Sequence, residues 1–244
     1  MPVALKAMAL KAVLFDAGGT LLREHPAREA IYAEAARARG LDVEAHTLRA
    51  CMYRVHDELP RSLDRHFRYS HGWFEHFITR VFRRELGLGA SELPGLAAEL
   101  FERFADPATF RLFPGAWETL EDLRERGLRL GIVSNWSESL PQVLRGLGLT
   151  ERVDFVLVSA IEGVEKPEPA MFERALEQAG VRAEEALFCG NDPRMDAEGA
   201  ERAGMSAVLI DHGARERAGE RRPGPRVCVN SLREAHGLIL ERLG

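Results

Sequence analysis

The 244-residue chain is 45% hydrophobic and 29% charged, which excludes a disordered chain and leaves room for one large domain or a domain carrying an insertion. Its formal charge of -5 argues against nucleic acid or an anionic membrane as partner and favours a small molecule. Cys51, Cys189 and Cys228 lack C-x-x-C spacing, no run approaches 18 apolar residues, and the segment holding Lys6 and Lys11 has no long apolar core. Disulfide framework, zinc site, transmembrane span and signal peptide are thus all unexpected, and the setting expected is a reducing cytoplasm.

The first element is Ala12-Val13-Leu14-Phe15, an apolar run suited to a strand buried on both faces, which leads into Asp16 and the turn-forming pair Gly18-Gly19. After Leu22 strand character stops, and residues 27 to about 105 read as helices. Ala27 to Arg39 ends at Gly40; Leu48, Cys51, Met52, Val55 and Leu59 form a stripe stopped by Pro60; Phe74, Phe77, Ile78 and Val81 form another before Gly87; Leu96, Leu100 and Phe104 a fourth before Pro107. About four helices without strands describe a small bundle inserted into an α/β domain. Its aromatics are expected in a core. Six arginines (Arg61, Arg65, Arg68, Arg80, Arg83, Arg84) read as a solvated face, one or two of which could hold a substrate anion. His66, His71 and His76, five apart, do not share a helix face and are read as surface or packing residues rather than metal ligands.

From Phe113 the pattern becomes repeated β-α-β. A helix with Trp117, Leu120 and Leu123 on one face is followed by strands at 128–133, 155–158, 186–189 and 207–210. Helices through Val143 and Leu144, Met171 to Ala179 and 196–203 alternate with them. A Gly/Arg/Pro-rich loop, a short strand 227–229 and a helix from Ser231 finish the chain. The fold expected is a Rossmann-like parallel sheet covered by helices, with residues 1–23 and 107–244 as its core and 24–106 as a helical insertion.

Asp16, Ser134-Asn135, Lys166 and the Asn191-Asp192/Asp196 loop each fall just after a predicted strand, and in open parallel sheets that edge is where ligands bind. Acidic residues gathered from two loops repel unless a divalent cation lies between them, and hard oxygen donors point to Mg²⁺. A lysine and a hydroxyl beside them suit a phosphate oxygen or another developing anion.

The order D-x-x-G-T at Asp16 to Thr20, S-N at Ser134-Asn135, K-P at Lys166-Pro167, and the Gly190 to Asp196 loop followed by Glu198 to Met205 resembles the haloacid dehalogenase-like hydrolase superfamily over essentially the whole chain. Within it the chain is most similar to the REG-2-like branch, and the helical insertion to the superfamily's cap domain. The resemblance implies a nucleophilic Asp16 that becomes an aspartyl phosphate. Ser134, Thr20 and backbone N–H groups near Ala17 would hold phosphoryl oxygens with Asn135 among the substrate-binding residues, and Lys166 would orient Asp16. Mg²⁺ would bind Asp16, the Gly18 carbonyl and the last loop, where Asn191, Asp192 and Asp196 are the candidates. The chain departs from the superfamily's phosphatases twice. Gly18 stands where the second aspartate of D-x-D protonates the leaving oxygen, and Asn191 aligns with the usual first acid of the last motif. Three readings follow: a Mg²⁺-dependent hydrolase of a small, anionic phosphate monoester; a 2-haloacid dehalogenase, which needs neither that acid nor a metal and would use a cap arginine; and a catalytically impaired binding or regulatory protein. Neither substrate nor oligomeric state can be read.

Overall fold

The structure, a computed structural model, describes residues 9–213 and 226–243. Lys6 and most of the Gly/Arg/Pro-rich loop expected after Ile210 lie outside them. Two compact units divide the chain: Met1–Arg23, Leu112–Asn135 and Leu144–Gly244 form one, Glu24–Arg111 and Trp136–Val143 the other.

The first unit is built on β1 (Ala12–Phe15), β6 (Arg129–Ser134), β7 (Phe155–Val158), β8 (Ala186–Gly190), β9 (Ser206–Ile210) and β10 (Cys228–Val229), in the order β10-β9-β8-β1-β6-β7. Every pair is parallel; Val13 lies opposite Leu130 on one side and Leu187 on the other. All four β1 side chains are buried, which is why the strand reads as an unbroken apolar run instead of an alternation. The helices of this half of the chain are α5 (Ala116–Glu125), α6 (Leu140–Gly146), α7 (Ser159–Glu162), α8 (Pro169–Ala179), α9 (Gly199–Arg202) and α10 (Leu232–Leu243). α8 shows the packing logic: proline opens it, and Met171, Phe172, Ala175 and Ala179 form its buried face, with the Phe172 ring edge-on to Phe188 of β8 at 5.3 Å. On α5 the expected common face is split. Leu120 and Leu123 are fully buried, while Trp117 lies on the outer side, 46% exposed, where its Nε1 donates to the Leu147 carbonyl.

The second unit holds α1 (Arg28–Arg37), α2 (Ala45–Glu58), α3 (His71–Ile78), which runs on as a π-helix over Thr79–Glu85, and α4 (Leu93–Ala105). Their apolar stripes meet in one core that includes Tyr32, Leu48, Trp73, Phe82, Leu96 and Leu100, the Tyr32 ring stacking on Phe82. The expectation of helices without strands is corrected by a hairpin, β3 (Ser62–Leu63) with β4 (His66–Phe67). Its turn residues Asp64 and Arg65 both take positive φ (47° and 69°) without glycine, so the usual hairpin signature is missing from the sequence. Strand character also continues past Leu22: β2 (Leu22–Glu24) pairs with β5 (Phe110–Leu112). Among the described residues no helix is long and apolar enough to cross a membrane.

Candidate active site

β1 enters at the centre of the sheet, its later neighbours β6 and β8 lie on opposite sides, and the crevice at that switch point is where such sheets place ligands. Asp16 sits there, its N–H still in the ladder with the Cys189 carbonyl at 2.9 Å. The chain then turns back on itself: Leu21 and Leu22 N–H groups both donate to the Ala17 carbonyl, and Gly19 N–H donates to that of Leu22. Gly19 has φ +80°, and a Cβ there would lie 2.7 Å from the Asn191 amide, so this position admits no side chain. The turn brings the Thr20 hydroxyl back to Asp16 Oδ2 at 3.3 Å.

Each remaining residue arrives from a different strand end. Ser134, the last residue of β6, donates through Oγ to Asp16 Oδ1 at 2.9 Å. Lys166 Nζ donates to the same oxygen at 2.7 Å and to Asp196 Oδ1 at 2.6 Å, and the lysine is 2% exposed. Asn135 spends its amide on the Lys166 backbone: Nδ2 donates to the Lys166 carbonyl at 2.9 Å, and the Lys166 N–H donates to Oδ1 at 2.8 Å. The amide thus clamps the segment that presents the ammonium.

Asp196 is buried, with Oδ2 accepting the N–H groups of Asn191 and Asp192 at 3.0 and 2.9 Å. A Cβ on Gly190 would come 2.3 Å from that oxygen, so the glycine at the end of β8 lets the carboxylate tuck beneath the strand. The helix expected over 196–203 begins earlier and wider. Pro193–Glu198 is a π-helix whose Asp196 and Ala197 N–H groups both reach the Asp192 carbonyl, and α9 follows. Asp192 caps it, its Oδ1 accepting from Arg194 and Met195 N–H at 2.8 Å.

The electrostatics follow from burial. Desolvation alone would lower the Lys166 pKa, but the charges of Asp16 and Asp196 outweigh it and hold the group above the ordinary lysine value, so it stays an ammonium. Burial, aided by Asp16, pushes the Asp196 carboxyl up, against the pull of Lys166 and of the backbone N–H donors. Two buried carboxyl groups therefore share one ammonium. His212, which no motif marks, donates from Nε2 to the Thr20 carbonyl at 3.0 Å.

The side-chain amide of Asn191 is the other meeting point. One of its terminal atoms lies 3.0 Å from the Gly18 carbonyl oxygen, 3.3 Å from Asp16 Oδ2 and 3.2 Å from Thr20 Oγ1. With nitrogen on that side its two hydrogens have three acceptors within reach; with oxygen there, it joins a set of oxygens from Asp16, Gly18 and Asn191. No cluster of three or more His, Cys, Asp or Glu side chains able to hold a metal occurs among the described residues.

An aspartate at the switch point of a parallel α/β sheet, bracketed by a hydroxyl, a buried lysine and a second carboxylate, fits a hydrolase with an α/β core. The chain belongs to the haloacid dehalogenase-like hydrolases, whose family model matches residues 10–204. It is 34% identical to haloacid dehalogenase-like hydrolase domain-containing protein 3 of Bos taurus, over 83% of this chain and 82% of that protein. It is 33% identical to a phosphoserine phosphatase of Thermus thermophilus, over 92% and 97%. Among solved structures it is similar to a 2-haloacid dehalogenase of Pseudomonas syringae, with TM-score 0.63 and 27% identity over 95% of this chain and 99% of that one.

Proposed function

We propose that the protein is a Mg²⁺-dependent phosphatase that hydrolyses a small, anionic phosphate monoester through an aspartyl phosphate on Asp16. The observation that carries this reading is that the Asn191 amide lies 3.0 Å from the Gly18 carbonyl oxygen and 3.3 Å from Asp16 Oδ2. Neighbouring ligands of an octahedral Mg²⁺ are about 3 Å apart, so these donors fit the ion if the amide presents its oxygen. Asp16, Gly18 and Asn191 would hold Mg²⁺, which when bound supplies positive charge against the phosphoryl oxygens. Asp192 and Asp196, whose carboxylates are engaged with backbone N–H groups, stand outside that set.

With Oδ2 beside the Asn191 amide, Oδ1 is the attacking oxygen. Ser134 and Lys166, which donate to it here, redirect their hydrogen bonds to phosphoryl oxygens as substrate enters, with Thr20 beside them. Oδ1 bonds to phosphorus as the bond to the leaving oxygen breaks; that oxygen keeps the electron pair and takes a proton from solvent. Water then attacks the same phosphorus, the Oδ1–P bond breaks, its electrons return to the carboxylate, and inorganic phosphate leaves as the water proton passes to solvent. Asn135 and Asp196 hold Lys166 in place throughout. The wide spacing of the three cysteines, without any C-x-x-C pair, supports a reducing cytoplasmic setting.

One observation favours a second reading. Gly18 offers no acid to the leaving oxygen, and a 2-haloacid dehalogenase, in which Asp16 would displace halide from carbon, needs none. Assay of p-nitrophenyl phosphate and a panel of sugar and amino-acid phosphates with Mg²⁺ or EDTA, beside 2-chloropropionate in EDTA, separates them. Mg²⁺-dependent phosphate release is expected, lost at least ~10³-fold in Asp16→Asn, with a phosphoryl adduct seen by mass spectrometry only when Asp16 is present. Halide release in EDTA without phosphate release overturns the proposal.

A further inference from the structure

His212 follows β9 and belongs to none of the motifs that brought Asp16, Ser134, Lys166 and Asp196 together. Its Nε2 lies 3.0 Å from the Thr20 carbonyl oxygen. A carbonyl only accepts, so Nε2 carries the hydrogen, and in the neutral ring the lone pair is left on Nδ1. The imidazole stacks flat on Phe113, with ring centroids 3.6 Å apart and planes within 4°. The Phe113 N–H in turn donates to the carbonyl of Leu21, the residue after Thr20, at 2.9 Å. Two successive carbonyls of the turn that follows the nucleophile are thus held from outside it, one by His212 and one by the residue on which His212 stacks. Thr20 and Leu21 are fully buried.

The held turn bears on the chemistry through Thr20. Its hydroxyl reaches Asp16 Oδ2 at 3.3 Å and the Asn191 amide at 3.2 Å, long bonds that a small movement of the turn would break. Burial holds the His212 pKa below the ordinary imidazole value despite its bond to Thr20, and the nearby Arg23 charge acts in the same direction as burial. The ring is therefore neutral at pH 7, in the tautomer the carbonyl demands.

We propose that His212 is a positioning residue: its hydrogen bond to the Thr20 carbonyl fixes the Ala17 to Leu22 turn and, through the Thr20 hydroxyl, aims the Asp16 carboxylate at the substrate. A residue acting this way changes the rate of the bound complex more than its formation, because misplacing a reacting group by ~1 Å costs up to ~10²-fold in rate.

Two variants separate the hydrogen bond from the stack. His212→Phe keeps an aromatic ring on Phe113 and loses the donor; His212→Gln loses the ring but can place an amide N–H where Nε2 stands. The kinetic test rests on the hydrolase reading above, with p-nitrophenyl phosphate and Mg²⁺ as probe. His212→Phe is expected to lower kcat ~10-fold with KM within ~2-fold, while His212→Gln retains most of kcat. Full kcat in His212→Phe, or a loss in His212→Gln as deep as in His212→Phe, overturns the proposal. An independent reading needs neither activity nor a variant: long-range ¹H–¹⁵N correlation on the wild-type protein at pH 7 should report His212 as the neutral Nε2–H tautomer. The Nδ1–H tautomer would overturn the proposal even in a fully active enzyme.

Discussion

At the scale of single residues, Gly18 decides more than its size implies. Its neighbour Gly19 has a positive φ and lies against the Asn191 amide, but Gly18 is not among the glycines with positive φ, so a side chain there meets no left-handed strain. Gly18→Asp would place a carboxyl group two residues after Asp16, where, on the proposed mechanism, it can protonate a departing oxygen. Positioned acids contribute ~10²- to 10⁴-fold. The gain in kcat/KM should be largest for alkyl phosphates and smallest for p-nitrophenyl phosphate, whose leaving group is stable without a proton. Equal gains across leaving groups would assign the effect to something other than proton donation. The residue scale is also where the sequence was least complete. Asp16, Ser134 and Lys166 were legible as candidates because each lies at or beyond the end of an apolar run. The Asn135 clamp on Lys166 and the His212 bond to Thr20 were not, since both depend on tertiary approach between segments 31 and 192 residues apart. Nothing local to an asparagine or a histidine announces such a partner.

At the scale of elements, strands were legible in proportion to their burial. β1 and β8 are buried at every position and stand out as apolar runs, whereas the two-residue strands β3 and β4 carry a partly exposed Ser-Leu and His-Phe and have no period to detect. The ends of β1 and β8 are stapled by Glu185, just before β8. Its carboxylate accepts from the Arg182 N–H and side chain, both at 3.0 Å, and from Lys11 Nζ at 2.8 Å, just before β1. These donors, led by the Arg182 side chain, hold its pKa down at about 2, below the ordinary 4.5. A depressed carboxyl stabilises the fold above its unfolded pKa and loses that contribution as pH falls through the folded one. The gap in Tm between wild type and Glu185→Gln should accordingly be constant from pH 7 to about 5 and close as pH falls from about 4.5 toward 2. A gap independent of pH over that range would remove the charge from the explanation. The other end of β8 makes a steric prediction: in Gly190→Ala the new methyl would overlap Asp196, displacing the carboxylate that holds Lys166. Activity should fall ~10-fold or more while the sheet survives, as read by kcat beside circular dichroism.

For the molecule as a whole, the helical unit is not continuous in sequence: it takes in Glu24–Arg111 and also Trp136–Val143, a short segment that no pattern sets apart from its neighbours. The helical unit has its own hydrophobic core, drawn from Ile31 to Leu100, with Leu96 fully buried at its centre. Leu96→Ala should cost ~2–5 kcal/mol by opening a cavity. Amide exchange should accelerate across α2, α3 and α4 while amides of β1, β6 and β8 keep their protection. Acceleration shared equally by the sheet would mean one cooperative unit instead of two.

The position of β1 also sets a timetable. Ala12 leaves the ribosome well ahead of the strands that flank it, which begin at Arg129 and Ala186. At ~5–20 residues per second the nascent chain carries this apolar strand without a partner for several seconds to tens of seconds, while the helices of the second unit are already complete. Translation that pauses between β6 and β8 would hold β1 with one open flank, and the strand that leads into Asp16 would then be the part of the chain most in need of a chaperone.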